Sequence, residues 1–207
     1  GTSVLTLERF TKFLAKDIDG INYPFISINS NTAAKNSSSF LFSNVYLKQG
    51  EVVSHQFLMS ADNETRRFTI PSQNVDTTTV TITVQESSSN TMTEAYSLGN
   101  DITEVDNESR IYYIEEDNDS NYTFYFGDDV LGKKPRNGNI IICTYVDTVG
   151  SPANNISTFY QSDPIGSLFT DNVRITTSSS SYGGTDKETI EQVRYRAPYF
   201  YTAQNRA

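Results

Sequence analysis

Tryptophan is absent from the 207-residue sequence, and histidine and cysteine occur once each. The lone cysteine, Cys143, cannot form an internal disulfide, and no C-x-x-C metal pair exists. His55 has no catalytic motif beside it, which favours a structural histidine over a serine triad or a zinc site. The sequence also lacks a signal peptide and an apolar run long enough to span a membrane. We therefore expect neither an enzyme nor a cofactor.

Positive charge is scarce, since 16 basic residues face 25 acidic ones and the formal net charge is -9 at pH 7. Such a charge repels phosphate backbones and anionic lipids on average, so nucleic acid and membranes are not expected as partners. Ten carboxylates fall between Asp101 and Asp129, against the single base Arg110. This run indicates a solvated acidic face, with a docking surface for a basic partner as the alternative.

Aromatic and β-branched residues lie between short polar turn formers, which is typical of strands joined by turns. In the segment 78–86, apolar residues alternate with threonines and predict one buried and one solvated face. The uninterrupted apolar centre of 138–150 predicts a strand buried on both faces in the middle of a sheet. We predict strands over 21–29, 39–48, 51–60, 66–71, 78–86, 110–116, 121–126, 138–150 and 172–177. Gly50, between two of these segments, predicts a tight hairpin because it can adopt a positive φ.

Two short helices are predicted, one near each end of the chain. Apolar residues at helical spacing indicate the first over 4–16: Leu7, Phe10, Phe13 and Leu14. Thr185 and Glu188 fit a capping box for the second, which Pro198 ends or kinks. The fold class is therefore mainly β (β-rich α+β), with a mixed or sandwich-like sheet and a short helix near each end. We expect two β-rich subdomains, 1–86 and 87–207.

The stretch GDDVLGKKPRNGN, residues 127–139, comes within one letter of a phosphate-binding loop, because Lys134 stands where a hydroxyl residue should be. A phosphate-binding loop opens a helix, whereas Pro135 and a predicted strand follow here. Asp128 and Asp129 would also lie inside the anion cradle. Repulsion between one such carboxylate and a phosphate charge about 4 Å away costs roughly 4 kcal/mol in an effective dielectric of about 20. The stretch therefore predicts a chain reversal between two paired strands. Its glycines are assigned to backbone geometry: Gly127, Gly132 and Gly138.

A second near match overlaps this stretch. Asp117, Asp119 and Asn121 occupy positions 1, 3 and 5 of a calcium-binding loop, with Asp128 at position 12. Tyr122 stands where that loop requires glycine, and predicted strands rather than helices flank the segment. We therefore predict a polar hairpin turn here and no metal site.

Residues 125–159, YFGDDVLGKKPRNGNIIICTYVDTVGSPANNISTF, resemble the signature of the baseplate J-like family, and most of all the baseplate wedge subunits of T-even-type contractile-tailed bacteriophages. That family carries a Gly-Asp-Gly turn, a Gly-Lys-x-Pro or similar step, Gly-Asn before an apolar strand and a later Ala-Asn or Gly-Asn. The matching residues are Gly127, Asp128, Gly132, Lys133, Gly138, Asn139, Ala153 and Asn154. Asp129 replaces the second glycine of the first motif; aspartate tolerates positive φ better than most residues.

Two further stretches, 67–85 and 182–207, are similar to the same family. The second contains its Ala-Pro and Ala-Gln-Asn-Arg-Ala run, here Ala197, Pro198, Ala203, Gln204, Asn205, Arg206 and Ala207. Because family members are much longer and both ends look cut, we expect the chain to be a fragment of a longer protein.

The resemblance implies a structural, non-enzymatic role, in which wedge subunits pair with one another and join neighbouring wedges into the inner ring of a baseplate that rearranges when the tail contracts. It implies the virion tail baseplate as the location, after assembly in the host cytoplasm. The implied partners are further copies of the chain and other wedge proteins. The predicted contact residues lie in the exposed turn and in the terminal run: Asp128, Asp129, Lys133, Lys134, Arg136, Gln204, Asn205 and Arg206.

Two other functions stay open at this point. Abundant aromatics and six N-x-S/T sequons suggest a binding module of a secreted adhesin or carbohydrate-binding type, although chance accounts for the sequons in a chain so rich in Asn, Ser and Thr. The sequons are Asn36, Asn63, Asn107, Asn118, Asn121 and Asn155. A hydrolase is the other alternative, and it would require Lys133 for nucleotide turnover.

Overall fold

The computed structural model describes residues 3–16, 19–60, 67–99, 105–117, 119–166 and 173–185. Within these ranges the chain consists of strands and turns, and the one helical element is a 3-10 turn at Ser151–Ala153. The prediction of a mainly β fold is confirmed. The strands are β1 (Val4–Leu7), β2 (Lys12–Lys16), β3 (Asn22–Ser27), β4 (Asn31–Asn36), β5 (Ser39–Phe40), β6 (Leu47–Gln49), β7 (Glu51–Leu58), β8 (Phe68–Thr69), β9 (Val75–Gln85), β10 (Thr93–Leu98), β11 (Ile111–Glu116), β12 (Tyr122–Phe126), β13 (Ile140–Asp147) and β14 (Phe159–Gln161).

Seven strands form the larger sheet, in the order β7-β13-β9-β10-β11-β12-β8. β10 and β11 run parallel while the other neighbours pair antiparallel, so the sheet is mixed. Strands from both sides of residue 86 pair in it, since β9 lies beside β10. The division into subdomains at that residue stays a prediction.

Alternation of apolar and polar residues builds the core beneath this sheet. Val80, Ile82 and Val84 of β9 are all buried, as their spacing predicts. Phe124 packs against Phe57 and Phe68, with ring centroids 5.6 and 5.3 Å away. These aromatic contacts add stabilisation beyond the area that they bury.

Strand β13 lies between β7 and β9, in the interior of the sheet as predicted. Ile141, Cys143 and Tyr145 point into the core and are at most 1% exposed. Ile140 and Ile142, on the other face, are only half-buried. The prediction of burial on both faces is therefore wrong, because only one face of this sheet packs against a core.

Two smaller sheets, β1-β4-β5 and β14-β2-β3-β6, enclose a second core. Phe13 and Phe25 lie opposite each other on β2 and β3, and both are buried. Ala153 of the 3-10 turn and Ile165 reach the same core from the far end of the chain. The second core is thus built from segments more than a hundred residues apart in sequence.

The helix predicted over 4–16 is wrong, because these residues form β1 and β2. Phe10 adopts a φ of 70°, outside the α-helical region, and turns the chain between the two strands. Within each short strand the buried residues alternate, for example Leu5 and Leu7. Beyond Thr185 the second predicted helix lies outside the described residues.

The hairpin predicted at Gly50 is also wrong. β6 pairs with β3 and β7 pairs with β13, so Gly50 lies where the chain passes from one sheet to another. A Cβ at Gly50 would approach Val146 Cγ1 and the Asp147 carbonyl oxygen to 2.4 Å, which explains the glycine by close approach. Two predicted segments also differ: 39–48 forms strand only at its ends, and 173–177 forms none.

An ion pair joins the two sheets near this crossing. Lys48 of β6 binds the carboxylate of Asp76 in β9, which also accepts hydrogen bonds from the Thr78 amide at 3.0 Å and hydroxyl at 2.6 Å. Partial burial acts to raise the pKa of Asp76, but the hydrogen bonds from Lys48 and Thr78 outweigh it and the pKa lies below its usual value of 3.8. The ionised form is therefore the one that the folded state stabilises.

We expect the Asp76 carboxylate to make stability depend on pH. Its folded-state pKa is lowered, so its contribution is present above pH 3.8 and is lost as the pH falls through the folded-state pKa. Asp76→Asn should destabilise the chain near neutral pH and lose less stability than the wild type on acidification below 3.8. Urea denaturation of both proteins, near neutral pH and below pH 3.8, measures this difference in the free energy of unfolding. Equal acid sensitivity of the two proteins would contradict it.

Candidate protein-contact site

The turn between β12 and β13, residues 127–139, satisfies its backbone amides internally. The amides of Val130 and Leu131 donate to the Asp128 carboxylate at 3.1 and 2.9 Å. The Lys134 amide donates to the Asp129 carboxylate at 2.8 Å, and the Asp129 amide to the Gly132 carbonyl at 3.0 Å. The first pair of bonds holds the pKa of Asp128 below its usual value.

The remaining two amides of this run bond to the neighbouring turn at 106–109. The Gly132 amide donates to the Asp106 carbonyl at 2.9 Å and the Lys133 amide to the Ser109 carbonyl at 2.8 Å. Six consecutive amides, 129–134, are therefore paired within the protein and do not face a phosphate. The strand β13 follows the turn and lies in the same sheet as β12. The prediction that these two strands pair is wrong, because β9, β10 and β11 lie between them in the sheet.

Glycine is required at two positions of the turn for different reasons. A Cβ at Gly127 would lie 2.1 Å from the Leu131 carbonyl oxygen. Gly132 combines a φ of 94° with a Cβ position only 2.7 Å from Ile111 Cγ1. Gly138 has a similar φ of 89° but open space around it. Asp129 adopts a φ of 68°, so this aspartate does occupy the left-handed region at the position of the family glycine.

The charged residues of the turn divide into paired and exposed groups. Lys133 is half-buried, with its Nζ 3.7 Å from Glu108 and 3.9 Å from Glu94, and Glu94 also binds Arg110 at 2.6 Å. The hydrogen bonds from Arg110 lower the pKa of Glu94. Arg136 is exposed, and its amide donates to the Asn139 side chain at 2.6 Å.

The structure brings the five predicted contact residues of the turn close together, while Gln204, Asn205 and Arg206 lie outside the described residues. Asp128 and Asp129 are exposed to solvent, although their carboxylates accept the backbone hydrogen bonds that hold the turn. The tip also exposes Val130 and Leu131, at 70% and 45%. Sequence reasoning missed this apolar pair because it considered only the charged residues of the turn as contact residues. A depression beside the turn is lined by Met59, Ser60, Asp129, Lys134, Pro135, Arg136 and Asn137.

The overlapping calcium-like segment is the hairpin turn that joins β11 to β12. The Asp117 carboxylate accepts the amides of Asp119 and Asn121 at 2.9 and 2.8 Å, which is the geometry of an Asx turn. Ser120 reverses the chain with a φ of 61°. The prediction of a polar hairpin turn is therefore confirmed.

The family-like Ala153 and Asn154 hold a distant segment in place. The Asn154 side chain accepts the Gly184 amide at 2.9 Å and donates to the Gly184 carbonyl at 2.8 Å. The Ser181 hydroxyl donates to the Ala153 carbonyl at 2.6 Å. We call these contacts the Asn154 clamp. Sequence reasoning treated both stretches as family signatures but did not predict that they touch.

His55 and Cys143, the two reactive side-chain types that occur once, lie beside each other in the sheet. His55 stacks on Tyr145, with ring centroids 6.1 Å apart. Burial raises the pKa of the Cys143 thiol to about 12, so the thiolate is not formed near neutral pH. No described segment forms a helix with the length and apolarity needed to cross a bilayer.

No family model matches the chain. Comparison with curated proteins does indicate a relationship to phage baseplate wedge proteins. The chain is similar to the baseplate wedge protein gp6 of Enterobacteria phage T4, with 25% identity over 212 residues, which cover 92% of this chain and 31% of the relative. The chain thus spans about a third of the length of that protein. Assignment to the baseplate J-like family stays a prediction.

The two left-handed glycines of the turn provide a matched test of its packing. Gly138→Ala should destabilise the chain by about 1 to 2 kcal/mol, because alanine is strained at positive φ. Gly132→Ala carries the same strain and also forces Cβ against Ile111, so its loss in the free energy of unfolding should be clearly larger. Urea denaturation of both variants measures the difference. Equal losses would mean that the Ile111 contact relaxes without cost.

Proposed function

We propose that the chain is a structural component of a phage tail baseplate wedge and acts through protein contacts. The observation that carries this proposal is the similarity to a baseplate wedge protein along 92% of the chain. Because a third of that relative is covered, the finer roles are part of the proposal: joining wedges into a ring, and rearranging with that ring on contraction. The location that follows is the virion tail baseplate, with assembly in the host cytoplasm.

The chemistry of the described residues supports a role without catalysis. The near match to a phosphate-binding loop has no amide left among residues 129–134 for a phosphate. Cys143 is buried with a raised pKa, and His55 stacks on a tyrosine. A hydrolase therefore has little support, and we propose that the protein is not an enzyme.

The contact surface that we propose is the turn at 127–139. Its internal hydrogen bonds fix the loop before a partner arrives, which lowers the conformational entropy lost on binding. The fixed tip exposes Val130 and Leu131, and Arg136 lies exposed nearby. Arginine contributes strongly to protein interfaces, and the buried centre of an interface is more apolar than the rest of a protein surface. We propose other baseplate wedge proteins as partners of this surface, together with Asp128, Asp129, Lys133 and Lys134 at its rim.

The alternative of a carbohydrate-binding module would use an exposed aromatic platform. Tyr113 and Tyr125 stack on the outer face of the larger sheet, with centroids 5.3 Å apart. The guanidinium of Arg67 covers the Tyr125 ring at 4.7 Å and also binds Glu115. Arg67 thus already occupies this platform within the protein. We therefore expect the chain to bind no sugar on a glycan array.

The test is co-purification of the full-length protein with the other wedge proteins of the same phage. We expect it to bind at least one of them, and Arg136→Glu to weaken that binding because it removes an exposed cation from the contact surface. Lys35→Glu is the matched control, since Lys35 is also exposed but lies on β4, in another sheet.

Sizing and pull-down of the three proteins measure this. A protein that binds no wedge protein would remove the proposed function. Equal loss in the Arg136 and Lys35 variants would leave a charge effect and remove the turn as the contact surface.

A further inference from the structure

Strand β7 forms one end of the seven-stranded sheet and pairs on one side with β13 over all of its eight residues. The Gly50 amide, just before it, donates to the Pro24 carbonyl at 3.0 Å on the opposite side. Beyond Gly50, no strand among the residues that the structure describes pairs with that opposite edge. Among the described residues, strand β7 therefore ends the sheet with a long open edge.

The direction of each backbone group in β7 follows from the hydrogen bonds at its end. The Met59 amide donates to the Asn139 carbonyl at 2.9 Å, towards β13. Because backbone groups alternate in direction along an antiparallel strand, the odd-numbered residues of β7 bond to β13. The even-numbered ones present both N–H and C=O to the open edge: Val52, Ser54, Gln56 and Leu58.

This edge lacks the features that keep sheet edges from pairing. Natural edges carry proline, lysine or a bulge. Between Val52 and Leu58 there is no charged residue and no proline, and the register with β13 is continuous. Val53 and Phe57 are half-buried at this edge, and Leu58 is 61% exposed. Such an edge is suited to the addition of another strand.

We propose that β7 pairs antiparallel with β7 of a second copy of the chain, with His55 at the two-fold axis. The inference rests on the proposed structural role for its place in a baseplate, and on the geometry of β7 for the contact itself. In this register, every outward backbone group between Val52 and Leu58 finds a partner. Two seven-stranded sheets then become one continuous sheet across the dimer.

The sequence of β7 argues for a second copy rather than another strand, because it reads with the same polarity in both directions from His55. Antiparallel pairing about this residue sets Val53 opposite Phe57, on the face towards the core. On the other face it sets Val52 opposite Leu58 and Ser54 opposite Gln56. Apolar residues thus meet apolar ones and polar residues meet polar ones. The charged Glu51 comes opposite Met59, so no like charges oppose each other.

Cysteine substitution at the axis tests the register. Antiparallel non-hydrogen-bonded pairs place their Cα atoms about 4.5 Å apart, within the disulfide range of roughly 4.4 to 6.8 Å. His55→Cys should therefore form a disulfide-linked dimer on mild oxidation. Ser54→Cys and Gln56→Cys are the controls, because each would lie two residues out of line with its counterpart, more than about 8 Å away. All three variants are made in a Cys143→Ala background, since Cys143 lies directly opposite position 55 on β13 and would otherwise compete for the new thiol.

Proline substitution tests the edge itself. Gln56→Pro removes an N–H that faces the open edge and none that bonds to β13, so the variant should fold but sediment as a monomer. Gln56→Lys is a second variant for the case in which the proline prevents folding, and it should also be monomeric because lysine blocks edge pairing. Thr81→Lys, exposed in the interior of the sheet on β9, should stay dimeric.

If the wild-type chain sediments as a monomer of 23.2 kDa at every accessible concentration, the inference is wrong. A disulfide at position 54 or 56 rather than 55 would overturn the register. A dimer that survives Gln56→Pro would place the contact elsewhere and overturn the edge pairing. If the monomeric variants still bind other wedge proteins, the proposed function stands independently of this surface.

Discussion

The backbone pairing of β13 with both β7 and β9 is the interaction on which the rest of the structure depends. It brings the strand that follows the 127–139 turn between two segments from the first half of the chain. The core side chains Ile141, Cys143 and Tyr145 are buried because this pairing holds them under the sheet. The same pairing decides which backbone groups of β7 face outwards.

The turn illustrates how a peptide stretch can resemble a ligand-binding loop and serve another purpose. Its glycines and aspartates are the residue types that bend a chain tightly, and phosphate-binding loops need many of the same types. The difference lies in where the amides point. Here Asp128 and Asp129 act as internal acceptors, so the acids that would repel a phosphate are the groups that fold the loop.

The sequence predicts the long strands of this fold well because their side-chain period is strict. In β9 the alternation of valine, isoleucine and threonine leaves one solution, and the burial of Val80, Ile82 and Val84 follows it. Short strands carry too few residues to establish a period. Residues 4–16 could be mistaken for a helix because apolar residues from two strands happen to fall three or four apart. Polar strands such as β4 were not predicted, since their pairing depends on partners distant in sequence.

The sequence predicted the turn itself but not the contacts that its residues make. Spacing placed the turn at 127–139 and assigned its glycines to backbone geometry, because such requirements are local. The pairing of Lys133 with Glu94 and Glu108, and the exposure of Val130 and Leu131, depend on which segments fold against the turn. Those neighbours come from other parts of the chain, so no local pattern predicts them.

The Asn154 clamp has a mechanical consequence. Six hydrogen bonds tie the 181–184 segment to residues 153–156, at the end of the 3-10 turn. Tension applied to the chain beyond Thr185 would reach the Asn154 clamp before it reached any of the three sheets. The clamp would then transmit the force to the second core, through Ala153 and Ile156, and not to the hydrogen bonds between strands.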